Sequence, residues 1–411
     1  MRLFAATSNV SITKMKSYKC LLLVTATLGS LFALLHSALA LTWTACPNAP
    51  NKTWWSVASS ADGTKLVAVA YGGGIYTSTN SGLTWISNNV PARNWYSVAS
   101  SADGKKLVAV INVLSTSGAG GVYSSTNGGD SWTLTTAPAS LHSWSSVSCS
   151  TDGSKIVASG SQALTRQIHT SPDSGNTWVL TSAPNLSWYS VASSADGMKL
   201  VALPWQTNVI YSSVDSGANW APNSIPNNWW YSAASSADGT KLVAVAQGAS
   251  GYGPIYTSTN SGTSWISNAV PNQQWYSVAS SSDGSRLVAV APGVIYSSED
   301  FGQTWISNNV SAYYWSSVAS STDGRRLVAV AATGQIYTAQ PTPPQLSVTH
   351  SGTNLTLSWP SAATLFQLQQ KSNLVAMDWS NVTNSVAVTN GQCQVMVSTS
   401  GSQTFFRLKG Q

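Results

Sequence analysis

The apolar positions of this chain fall in short runs with the period of strands. Trp95 to Ser101 is one such run and ends in Ala102-Asp103-Gly104. A continuous apolar run, Leu107 to Val110, follows. A third run is Gly121 to Ser125, and a fourth begins at Ser131-Trp132. An Asp-Gly pair between two β-rich runs is a strong hairpin signal. The pattern therefore predicts four short antiparallel strands. The same succession restarts at Trp54, Trp95, Trp144, Trp188, Trp230, Trp275 and Trp315, at spacings of 41, 49, 44, 42, 45 and 40 residues. Four strands per period of this size predict one propeller blade per repeat.

A second motif lies between the third and fourth strands: Ser-x-(Asp/Asn)-x-Gly-x-(Thr/Ser/Asn)-Trp. It ends at Trp85, Trp132, Trp178, Trp220, Trp265 and Trp305. Its chemistry is that of a rigid turn. The Asp or Asn side chain bonds main-chain amides, the Gly takes a positive φ, and the Trp anchors the hairpin. The motif resembles the Asp-box, or BNR, repeat of sialidases, xyloglucan-degrading glycosidases and propellers of the photosystem II assembly-factor type. That resemblance implies a β-propeller in which the box is structural. The seventh repeat lacks a box, but Leu41-Thr42-Trp43 matches Leu83-Thr84-Trp85. The expected fold is all-β: a seven-bladed propeller over 41–340, closed by its N-terminal strand. Closure removes exposed sheet edges. The WD40 and kelch signatures are absent.

The Pro-rich stretch 341–344 predicts a linker. Residues 345–411 carry six short alternating runs and predict a small β-sandwich, similar to immunoglobulin- or fibronectin-like modules. At the other end, Lys16 and Lys19 precede the apolar run Leu21 to Leu35 and then Ala38-Leu39-Ala40. This is the layout of a signal peptide over 1–40, with Met15 a natural start for one of ordinary length. The apolar run is short for a membrane span. The expected destination is secretion: extracellular, cell-surface or periplasmic, with no membrane span in the mature chain.

Removal of 1–40 takes away four bases and no acids, leaving fifteen bases against thirteen acids, a net charge of +2. Nucleic acid is therefore not an expected partner. Cys46, Cys149 and Cys393 remain without metal-site spacing. Small buried thiols and a Cys46–Cys393 disulfide both fit.

A propeller enzyme needs acid, base or nucleophile groups outside its structural turns. The expected propeller has twelve acids. Seven are the hairpin residues Asp62, Asp103, Asp152, Asp196, Asp238, Asp283 and Asp323, and three sit in box turns, Asp173, Asp215 and Asp300. Only Asp130 and Glu299 remain, at variable positions of outer turns. A glycosidase needs two convergent carboxyl groups, and none is left for that role. The sialidase resemblance implies an arginine triad, yet only Arg93 and Arg166 stand outside repeat positions. His142 and His169 are blade-specific but lack partners in the sequence. The chain is expected to be no enzyme and to need no metal or cofactor.

The unassigned chemistry is aromatic. The seven leading tryptophans have the neighbours Trp55, Tyr96, Tyr189, Tyr231 and Tyr276, with Ser145 and Ser316 in the other two repeats; Trp205 and Trp229 lie outside the repeat. Rings beside Asn and Gln suit neutral sugars, whose C–H faces stack on aromatics. The expected ligand set is Trp54, Trp55, Trp95, Tyr96, Trp144, Trp188, Tyr189, Trp205, Trp229, Trp230, Tyr231, Trp275, Tyr276 and Trp315. The expected partner is a glycan or cell-surface polysaccharide, with a protein-binding scaffold and a degenerate glycoside hydrolase as alternatives. The leading tryptophans also suit a wedge between blades. A ring of bases three residues after each hairpin Asp suits either an anion site or solvated charges beside the turns.

Overall fold

The computed structural model describes residues 41–113, 120–138, 143–160, 166–205, 207–248, 250–308, 310, 313–341, 346–351, 354–361, 366–371, 379–398 and 405–410. The expected leader, 1–40, and most of the expected linker, 342–344, lie outside them. Among the described residues every helix or strand element is a strand, and no helix is long and apolar enough to cross a membrane. The chain divides into two compact units, one of them Leu41–Gln340, the other containing Pro341–Gln411.

Within Leu41–Gln340 the strands follow one plan. In the repeat led by Trp95, the inner strand Arg93–Ser100 pairs with Leu107–Ile111. That strand pairs with Val122–Ser125, which pairs in turn with the outer strand Thr133–Leu134. The long strand Ala221–Ser235 is outer for the repeat led by Trp188 and inner for the next. In the last repeat Leu41–Ala45 takes the outer place, beside Ile336–Pro341. Each inner strand contacts the next, and Trp315–Ser320 contacts Trp54–Ser59, so the last repeat meets the first.

The sequence explains these elements. Second strands such as Leu107–Ile111 and Leu287–Ala291 are buried along their whole length. Both faces of each sheet are covered by neighbouring repeats, which is why these strands are continuous apolar runs rather than alternating ones. Trp95 packs with Val67, Val69 and Ile75 of the preceding repeat and with Val98 and Leu107 of its own.

Two rings of polar contacts and a set of basic side chains tie the repeats together. The hydroxyl of the Ser two residues after each leading Trp accepts a main-chain N–H of the next repeat. Ser56 accepts from Val98 at 3.2 Å, and the series returns through Ser317 and Val57 at 3.3 Å. Near the Asp-Gly turns a main-chain ring runs from Ala61 N–H to Ala102 and returns by Thr322 N–H to Ala61, with bonds of 2.7–2.8 Å. Basic side chains add bonds at four of the turns: Lys65 Nζ donates to Asp103 O at 2.6 Å, Arg326 to Asp62 O at 2.6 Å, and Lys241 and Arg286 act likewise. The turn glycine permits this. Gly63 has φ 71°, and a Cβ there would stand 2.7 Å from Arg326 Cβ.

The second unit has one sheet of Ser347–Ser351, Asn354–Pro360, Gln392–Ser398 and Ala387–Thr389. Its other sheet is Ser380–Asn381, Phe366–Lys371 and Phe405–Gly410. Leu357, Trp359 and Val395 of the first share a core with Leu368 of the second. Cys46, Cys149 and Cys393 are free thiols.

Candidate binding site

In six of the seven repeats the leading Trp and its neighbour part company at a bulge. Trp95 opposes Ile111 while Ser97 opposes Val110, so Tyr96 has no place in the ladder. The same shift occurs at Trp54/Ser56, Trp188/Ser190 and Trp230/Ser232. A residue added to a strand in this way re-aims its side chain.

The leading tryptophans go into the protein. Trp54, Trp95, Trp144, Trp188, Trp230, Trp275 and Trp315 are all 0% exposed. This corrects their assignment as ligand contacts: they are wedges between repeats. Each has an aromatic edge against its face, as Trp54 has Tyr76 at 5.2 Å and Trp188 has Tyr211 at 5.4 Å. His169 fills that place against Trp144 at 5.5 Å. It is therefore a packing residue in a tyrosine position. His142 lies outside the described residues.

The neighbouring rings do the opposite and gather into one collar. Trp55 lies between Tyr71, at 5.3 Å, and Tyr96, at 5.1 Å. Tyr96 Oη meets Tyr189 Oη at 3.4 Å. These two tyrosines belong to the repeats led by Trp95 and Trp188, so they reach each other past the intervening repeat. The residue there, Ser145, is buried and donates to Trp188 O at 2.7 Å. From Tyr189 the rings continue to Trp205 at 5.0 Å and Tyr231 at 4.9 Å. Trp229 stacks on Trp205 at 5.6 Å. Tyr231 touches Tyr276 at 5.5 Å, and Tyr276 touches Tyr314 at 5.4 Å, with their hydroxyls 2.5 Å apart.

Thus Trp55, Tyr96, Tyr189, Trp205, Trp229, Tyr231 and Tyr276 come together, all partly exposed. The sequence reading missed Tyr71 and Tyr314. Tyr314 directly precedes Trp315 as Trp229 precedes Trp230, and that shared register was the signal. Burial pushes the Tyr96 and Tyr189 phenols up from their ordinary range. Burial also raises Tyr231 and Tyr276, the latter aided by its bond to Tyr314. The collar is therefore uncharged at neutral pH and offers hydroxyls and ring faces. Asn94, Gln273 and Gln274 stand partly exposed beside the inner strands.

Below the collar runs a cavity of about 390 Å³ between the inner strands, reaching Ala61 and Ala102 at its other end. Its walls are Ser, Ala, Val and Thr with the single thiol of Cys149.

The hairpin carboxylates are held in their turns. Each Asp accepts a Ser hydroxyl at 2.6–2.7 Å and an amide two residues on at 2.9–3.0 Å. The box residues Asp173, Asp215 and Asp300 each accept an amide four residues on at 2.8 Å. Asp130 and Glu299 are exposed on outer turns. Among the described residues no group of three or more His, Cys, Asp or Glu could hold a metal ion.

No family model and no curated protein matches this chain. Solved structures do. YCF48 from Cyanidioschyzon merolae matches with a TM-score of 0.56 at 16% identity, over 73% of this chain and 98% of that one. YCF48 bound to D1 peptide matches with a TM-score of 0.54 at 15% identity, over 74% and 97%. The GH74 xyloglucanase from Xanthomonas campestris matches with a TM-score of 0.58 at 14% identity, over 78% of this chain and 60% of that one. At such identities the likeness is one of fold, and the fold is a β-propeller.

Proposed function

We propose that this chain is a secreted, non-catalytic, seven-bladed Asp-box propeller that recognises a neutral glycan on its aromatic collar, with a small β-sandwich attached. The observation that carries this reading is the collar. Partly exposed rings from several repeats converge on one end of the channel, uncharged and flanked by amide side chains. Stacked rings such as Trp205 and Trp229 suit the apolar faces of sugars, while phenol hydroxyls and amides bond their hydroxyl groups. Repeated contacts of this kind add through avidity when the ligand is a polymer. The absence of catalysis is supported by the carboxylates, ten of which are bound into turns. The leader-like pattern of 1–40 supports secretion.

A second reading has one observation in its favour. The matched YCF48 structure is bound to D1 peptide, so a protein partner is the alternative occupant.

The test is a glycan array on the purified chain, followed by titration with Trp fluorescence. Saturable binding of a neutral glycan is expected, weakened about tenfold or more by Trp229→Ala or Tyr276→Ala in a protein that stays folded. No binding across neutral and acidic glycans overturns the reading in favour of a protein partner.

A further inference from the structure

Clefts between neighbouring repeats recur along the chain, and their volumes differ. Between the repeats led by Trp95 and Trp144, the cleft bounded by Lys106, Leu107, Gly153 and Ser174 holds about 10 Å³. Its counterpart one step on, bounded by Lys155, Ile156, Gly197 and Ser216, holds about 520 Å³. The cleft between the last repeat and the first holds about 10 Å³, and that between the first two about 260 Å³.

Two variable positions of the repeat carry apolar residues at this cleft. Pro172 occupies the position of Thr126, and Met198 that of Thr64 and Lys105. Val179 and Leu180 form the outer strand and are 57% and 53% exposed. Leu200 lies deeper in the wall. The basic residue also behaves differently. Lys106 reaches over its cleft to Ser174 Oγ at 3.3 Å. Lys155 Nζ turns instead to the Met198 sulfur at 3.2 Å. A thioether is a weak acceptor, so this ammonium keeps donors for a stronger one. Ser182 Oγ donates to Ala218 O at 2.7 Å and joins the two repeats beside the cleft. That bridge and the volume, within the usual range of about 300–1,000 Å³ for small-ligand sites, favour a small molecule over a polypeptide.

We propose that this cleft binds a medium-chain monocarboxylate, its chain against Val179, Leu180 and Leu200 and its carboxylate on Lys155. The site is separate from the collar. The test is calorimetric titration of the purified chain with dodecanoate and with dodecanol. Saturable one-to-one binding of dodecanoate is expected. Val179→Asp and Ser182→Trp, both on exposed positions, each abolish it while the circular dichroism spectrum is unchanged. Lys155→Met weakens dodecanoate about tenfold and leaves dodecanol as it was. Trp229→Ala changes neither, so failure here is distinguishable from failure of the glycan reading. No binding, or binding that survives both Val179→Asp and Ser182→Trp, overturns the site. Equal loss of both ligands in Lys155→Met, or of neither, overturns the carboxylate assignment.

Discussion

At the scale of single residues the chain poses one problem: two adjacent aromatics with opposite fates. Trp95 is fully buried and Tyr96 is partly exposed. Composition and spacing treat them alike. Strand alternation places them on opposite sides of the backbone but does not say which side faces a ligand. The bulge decides, and a bulge arises from pairing with a partner strand rather than from the local sequence. The difference is measurable. Trp95→Ala empties a site packed by two repeats and should cost about 3–5 kcal/mol, the usual range for such truncations. Trp229→Ala removes a partly exposed ring and should cost about 1 kcal/mol or less. Thermal denaturation of the two variants checks this. Equal losses would mean that Trp229 is a wedge like Trp95 and belongs to the packing rather than to the collar.

At the scale of elements, the hairpin turn was the most legible part of the sequence. Ser60, Asp62, Gly63 and Lys65 each do what their chemistry suggests. What could not be read was their reach into the next repeat. Of the bases that suited an anion ring, Lys65, Lys241, Arg286 and Arg326 donate to the carbonyls of neighbouring turns, as Lys241 does to Asp283 O at 2.8 Å. The turns also make a prediction about pH. Ser150 and Ser236 hydroxyls, with the amides beyond them, hold Asp152 and Asp238 down to about 2. An unfolded Asp titrates near 3.9. The unfolded chain therefore binds more protons between these values, and stability falls as pH drops through that window. The contribution is fully present above about pH 5 and lost progressively toward pH 2. Denaturant midpoints measured from pH 6 to pH 2 should hold steady and then fall below about pH 4. In Asp152→Asn the acid-induced fall should be smaller. An unchanged fall in that variant would remove Asp152 from the account.

At the scale of the whole molecule, the repeat was visible because each unit uses the same residues for the same contacts. The collar and the enlarged cleft were not, because both depend on which repeats become neighbours. Tyr96 meets Tyr189 from a distance of 93 residues. The strand Leu41–Ala45 belongs to this scale too. Leu41, Trp43 and Ala45 pack on a core that contains Trp315 and Tyr337. Cys46 N–H donates to Ile336 O at 2.8 Å. This strand joins the two ends of the repeat array. Each bond in the ring of serine hydroxyls is worth only about 1 kcal/mol, and such contacts act together only while the array is closed. Without Leu41–Ala45 the strand Ile336–Pro341 would present an unpaired edge, which invites association between chains. Deletion of residues 41–45 should thus do more than lower the melting temperature. It should broaden the unfolding transition, because an open array unfolds from its ends as repeat proteins do. It should also produce oligomers in size-exclusion chromatography. A monomer with a sharp, slightly lowered transition would show that the serine and main-chain rings hold the ends together without the strand.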